Sequence, residues 1–373
     1  MKILKTLSAI TTVAVLVIAG PSFAATLSPL TSFGGGDGWL APGEDPNLTT
    51  DNTQRGMTYN AANDHIYVVD RNGGTTVEIY NGTTGASVGS LDMTGLSGGV
   101  FLLNSIDVAD DGAIYAANLR TNTDPANSAT TLKIYRWANE AAAPTLAYNA
   151  QPGPGLRLGD TLAATGAGAN TLLLAGINDG NGSSADPNVN SYAVFSTADG
   201  LNFSSTVPAF PSDPPPTGAH RLGIDFIDAN SVLGSQTGAS AYLSTFDLGA
   251  ATAALDNEAT KTSSGQAPLA YYAPLGLAAF VDINSSVVSL YEVDGLGNLV
   301  LNDSATTLTL PSVGNVNGSG DLKFGVGPGG DLRLYVLNTN NGIQAFNVVV
   351  PEPSTVALIA AGLAAAVIRR RCA

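Results

Sequence analysis

The sequence of 373 residues holds one cysteine, Cys372, next to the chain end. Everything before it is cysteine-free, which excludes disulfide cross-links and thiol chemistry from the body of the protein. Histidine is almost as scarce, with only His65 and His220, far apart in sequence. A histidine-based metal site would have to gather carboxylates around one of them, and two isolated histidines are usually surface or capping residues. No Walker loop and no zinc spacing is present. Basic residues are few, 15 against 30 acidic ones. Helical periodicity is missing too, which excludes helical bundles and helical solenoids. Long apolar runs occur only at the two ends.

At the amino terminus Lys2 and Lys5 precede an apolar run from Leu7 to Gly20, then Pro21, Ser22, Phe23 and Ala24. A positive start, a short apolar middle and small residues one and three before a cut describe a secretory signal peptide over residues 1–24, with Ala25 as the mature first residue. At the other end Pro351, Glu352 and Pro353 lead into an apolar segment, Thr355 to Ile368, closed by Arg369, Arg370 and Arg371. Fourteen helical residues at about 1.5 Å each reach about 21 Å, short of the roughly 30 Å of bilayer hydrocarbon. Arginines at the end of an apolar run are held on the cytoplasmic side, which leaves the preceding body outside.

The order Pro-Glu-Pro, short apolar helix, arginine cluster and chain end resembles the PEP-CTERM sorting signal of Gram-negative bacteria. The resemblance implies that residues 351–373 are a sorting tail. It also implies handling by the secretion machinery and an exosortase, with Pro351, Glu352 and Pro353 as the recognised residues, and transient membrane anchoring by the tail helix. Cys372, beyond the arginines, is then an incidental residue lost with the tail.

Removing both ends leaves 326 residues, 25–350, with 10 basic and 29 acidic side chains, a formal charge of −19. Such a body would be repelled by a nucleic-acid backbone. The 43 glycines of the chain and its many Asn-Gly and Asp-Gly pairs separate short alternating runs such as Ile66-Tyr67-Val68-Val69, Ile114-Tyr115-Ala116 and Leu332-Arg333-Leu334-Tyr335. Alternation bounded by turn residues reads as half-buried strands, so the body is all-β.

The runs recur as larger units beginning near Arg55, Asn104, Leu156, Arg221, Ala267 and Asp321, with second strands at Ile66, Ile114, Leu172, Val232, Ala278 and Leu332. A strand-only repeat of that length points to four-stranded propeller blades. The last unit has room for only three strands, and Thr26 to Phe33 forms an orphan strand. The expectation is a six-bladed β-propeller over residues 25–350, its amino-terminal strand completing the last blade, followed by the short hydrophobic helix; the alternative is a pair of β-sandwiches. The body resembles the propeller-like, Gly- and Asn-rich domains that precede PEP-CTERM tails, a likeness carried by Gly38 to Gly43 and Thr49 to Tyr59 that implies no activity.

Candidate chemistry is sparse. Gly325, Gly327 and Gly330 match the dinucleotide pattern, but Pro328 interrupts it and a strand follows, so a hairpin turn is the better reading. Gly95, Ser97 and Gly99 match the nucleophile elbow without its helix, and read as an interblade connection. The stretch Asp179, Asn181, Ser183, Asp186 resembles a calcium loop but lacks the glycine and the closing glutamate. Asp107, Asp160 and Asp225 fall at comparable places in the first strands of the second, third and fourth units. If first strands line the central channel, these three would converge on the axis as a cation or ligand site, with calcium the candidate ion and no other cofactor expected; as structural residues they would instead accept main-chain N–H groups from the next blade. The sequence therefore reads as an exported, non-enzymatic binding or structural propeller of the cell envelope, cell surface or extracellular space, with extracellular polysaccharide or matrix as partner. The alternative is a propeller hydrolase or lyase with an axial metal.

Overall fold

The computed structural model describes residues 24–121, 131–179, 188–238, 240–307, 314–315 and 317–350. The expected signal peptide, apart from Ala24, and the expected tail helix lie outside the described residues. Among the described residues no helix is long and apolar enough to cross a membrane. The unit Ala25–Val349 holds every described strand.

Six antiparallel sheets build the body, five of four strands that run from inside outward in sequence order and a sixth of five strands that joins both ends of the described chain. Their inner strands are Met57–Asn60, Phe101–Val108, Ala163–Thr165, Gly223–Asp228, Gln266–Tyr272 and Gly320–Val326, and they define blades 1 to 6. Neighbouring inner strands touch around the whole ring, the sixth against the first. The body is a six-bladed β-propeller.

The packing explains why second strands were so visible. In His65–Asp70, Ile66 and Val68 enter the cluster between blades 6 and 1, whereas Tyr67 and Val69 enter the cluster between blades 1 and 2. Successive side chains point to opposite faces, and in a blade both faces are buried, so the strand reads as an unbroken apolar run. All six expected second-strand residues lie in second strands. The outer strand Ser87–Ser90 of blade 1 is, by contrast, exposed throughout.

Blade 6 takes Gly320–Val326, Leu332–Asn338 and Ile343–Val349 from the end of the body. Thr26–Pro29 pairs with the last of these, Thr26 opposite Val349 and Pro29 opposite Phe346. Trp39–Leu40 continues along the same edge. Between them Phe33 turns inward and is fully buried with Tyr335 and Tyr80.

Blade 3 begins later than expected. Leu156–Arg157 forms a separate two-stranded pair with Asn178–Asp179, and Arg120 bridges to Leu158. The apolar start at Leu156 is thus a stitch outside the blade, and the inner strand is only Ala163–Thr165.

Candidate functional site

Two of the three expected axial aspartates are on the axis. Asp107 and Asp225, from inner strands of blades 2 and 4, line a narrow channel together with Asp321 and Lys323 of blade 6. Each carboxylate accepts a main-chain N–H from the next blade. Asp107 takes Ala164 at 2.7 Å, Asp225 takes Tyr271 at 2.8 Å and Asp321 takes Met57 at 3.1 Å. Three alternate blade junctions are therefore stitched by the same contact, and Asp107 also accepts the Thr58 hydroxyl at 2.6 Å.

The positive charge among these groups comes from the chain itself. Lys323 Nζ stands 2.7 and 2.8 Å from the two oxygens of Asp107. Burial alone would lower its pKa, but Asp107, Asp225 and Asp321 outweigh that and hold the ammonium above its ordinary value. Burial pushes Asp225 up to about 6 against the pull of Lys323, and raises Asp321 well above its ordinary value. Among the described residues no three His, Cys, Asp or Glu side chains stand close enough together to hold a metal ion. Asp321 and Lys323 were not singled out in the sequence, although Asp107, Asp225 and Asp321 share one signal: each is followed directly by an apolar residue, Val108, Phe226 or Leu322.

Asp160 does not join them, because the inner strand of blade 3 starts three residues after it. It lies instead in a larger cavity of about 350 Å³ at one end of the ring, lined also by Arg55, Arg71, Arg157 and Arg221. Those are four of the body's 10 basic residues. Arg157 grips Asp160 with two bonds of 2.5 and 2.7 Å, and Arg221 adds a third of 3.0 Å. Burial would raise the Asp160 pKa; the two guanidinium groups outweigh it and hold the carboxyl below its ordinary range.

Arg55 and Arg71 have no such partner. Neither forms an ion pair among the described residues. Arg71 lies over the Phe101 ring, 3.8 Å from its centroid, and donates to Asn104 Oδ1 at 3.3 Å and to the Asn52 carbonyl at 3.2 Å. Burial, and then the neighbouring Arg55, push its pKa down to about 10. Arg55 donates to the Ser319 hydroxyl, while its Nε is buried without a hydrogen-bond acceptor. The cavity thus concentrates under-compensated cations in an otherwise acidic body.

The remaining motifs are placed as turns or packing. Gly327 and Gly330 lie in the turn joining the first two strands of blade 6, where Gly327 N–H donates to the Asp331 carbonyl at 2.8 Å. Gly95, Ser97 and Gly99 lie between blades 1 and 2. Of the calcium-like loop, Asn181, Ser183 and Asp186 lie outside the described residues, and Asp179 pairs with Leu156. His65 meets Glu140 at 2.6 Å near the surface. His220 is neither a surface nor a capping residue; it is fully buried, its ring 4.9 Å from that of Tyr192. A Cβ on Gly234 would lie 2.0 Å from the ring, so glycine there makes room for it. Burial pushes this imidazole down to about 3, and it stays neutral.

Known structures share the fold. A protein of the DUF4623 family from Bacteroides eggerthii superimposes with a TM-score of 0.59 at 16% identity, over 81% of this chain and 72% of that one. The PQQ-bound aldose sugar dehydrogenase of Streptomyces coelicolor does so with a TM-score of 0.51 at 16% identity, over 89% and 100%. The Malassezia sympodialis allergen Mala s 1 gives 0.50 at 12%, over 81% and 94%. No curated protein sequence matches. Residues 349–371 match one family, the PEP-CTERM protein-sorting motif, so this chain is a six-bladed propeller that carries an exosortase-type sorting signal at its end.

Proposed function

We propose that the protein is a non-enzymatic binding propeller, exported and sorted to the cell envelope or surface by its PEP-CTERM tail, with the arginine-lined cavity as its ligand site. The observation that carries this reading is the pair Arg55 and Arg71, two half-buried guanidinium groups without a carboxylate partner in a body of formal charge −19. Half-buried cations that nearby carboxylates compensate only in part cost stability, and a bound anion recovers that cost when it is present. On the same reading the amino-terminal strand is the latch of the ring, supported by its pairing with Ile343–Val349.

The rival is a hydrolase or lyase acting through an axial metal. It draws on a fold that a sugar dehydrogenase shares. It would require Asp107 to exchange Lys323, the Thr58 hydroxyl and the Ala164 N–H for the ion.

Anion binding is tested by thermal melts of the purified chain in sulfate and in chloride at equal ionic strength. At ten times its dissociation constant a bound anion stabilises by about 1.4 kcal/mol, a measurable rise in melting temperature. Changing Arg55 and Arg71 together to glutamine should abolish the sulfate-specific rise; an equal rise in both proteins would sink the assignment. Sorting is tested separately. Pro351, Glu352 and Pro353 changed to alanine should leave export intact and the tail uncut, and equal tail removal in both proteins would show that these residues are not the ones recognised.

A further inference from the structure

Charge alone does not describe the cavity. Its wall carries an aromatic face, Phe101, which is 40% exposed even with Arg71 on it. The apolar side chains Leu119 and Leu222 also line it, beside the amide and hydroxyl groups of Asn104, Asn317 and Ser319. Asp160 accepts three bonds from Arg157 and Arg221, and a carboxylate offers about four lone-pair sites, so one acceptor position is left for a hydroxyl donor. Volume sets the scale: about 350 Å³ lies at the small end of ligand cavities and suits one or two rings rather than a long chain segment.

The charge of the surroundings narrows the choice further. A densely charged polymer bound here would lay its remaining charges over a body of formal charge −19 and be repelled. A single anionic group escapes that penalty. A carboxylate matches the planar fork of a guanidinium, and the hydroxylated, partly apolar remainder of a sugar ring matches the mixed wall.

We infer that the cavity takes one carboxylate carried on a polyhydroxylated ring, the chemistry of an acidic sugar, with Arg55 and Arg71 on the carboxylate, Phe101 beneath the ring and Asp160 receiving a hydroxyl. This rests on the anion-binding reading above and deepens it. Such a residue reaches the cavity either as a free sugar acid or as the end of a glycan.

The test is calorimetric titration of the purified full chain with glucuronate, glucose and sulfate, and with an oligosaccharide ending in a uronate. Glucuronate should bind, with glucose weaker by about tenfold or more, the size of one lost charge-assisted contact, and sulfate weaker by about the same factor through loss of the contacts to Phe101 and Asp160. Arg55→Gln and Arg71→Gln should each weaken glucuronate by a similar factor. Should those variants fail to fold, Phe101→Ala, at a half-open position, keeps the test available: it should weaken glucuronate by a larger factor than sulfate, and an equal loss for both would overturn the inference. An oligosaccharide that binds as well as the free acid assigns the site to glycan ends, and one that does not assigns it to the free acid; both outcomes support the inference. Sulfate binding as tightly as glucuronate would overturn it and leave a simple anion site standing. Absence of any anion binding would overturn both.

Discussion

Replacing Lys323 with methionine is expected to cost about 3 kcal/mol of stability at pH 7.5, the low end for removing one partner of a buried pair. The low end applies because the lysine side chain keeps 21% of its exposure. Its loss leaves Asp107, Asp225 and Asp321 facing one channel without a cation. The cost should fall with pH, and the sign follows from the direction of the shifts. Asp225 and Asp321 are raised in the folded state, so the folded protein takes up protons at a pH where the unfolded chain does not. Their contribution to stability is present below the ordinary carboxylate value and is lost as pH rises through about 6, the value for Asp225. Without Lys323 both values move higher still. Urea unfolding at pH 7.5 and pH 5 should therefore show the gap between the two proteins shrinking by more than half at the lower pH. An equal gap at both would mean that the lysine stem matters by packing and its charge does not.

Removing residues 25–33 is the other change with a large expected effect. The deletion takes away the outer strand of blade 6, the Leu27 N–H bond to Asp303 at 2.7 Å and the fully buried Phe33. Loss of a buried phenylalanine side chain alone costs about 3–5 kcal/mol. The deletion also opens the edge of Ile343–Val349 to pairing with another chain. The truncated protein should melt far lower and aggregate, by scanning calorimetry and light scattering. Unchanged melting and solubility would show the strand to be dispensable.

The fold was legible wherever both faces of a strand are buried. Ile66, Ile114, Leu172, Val232, Ala278 and Leu332 stand out because they begin or enter runs of mostly apolar residues buried on both faces. Inner strands were harder, since the channel admits polar groups and the apolar pattern weakens there. Blade 3 shows the result: a strand of three residues was displaced by the more apolar Leu156, and Asp160 was carried onto the axis with it. The mouth was invisible for another reason. Arg55, Arg71, Arg157 and Arg221 are solitary in sequence and meet only because blades 1, 3 and 4 close into a ring. One local signal existed: Arg55 and Arg221 each stand two residues before an inner strand.

Blade 6 also imposes an order of events on folding. Within blades 1 to 5, every strand pairs with a neighbour close in sequence, so their hairpins can form as the chain emerges into the space where it folds. Thr26 has its partner at Val349, close to 320 residues away. The first strand of the body to be delivered must therefore wait, unpaired, for the last. The pairing of Thr26–Pro29 with Ile343–Val349 is thus a late, long-range step whose loop entropy is offset by the contacts around Phe33 and Tyr335.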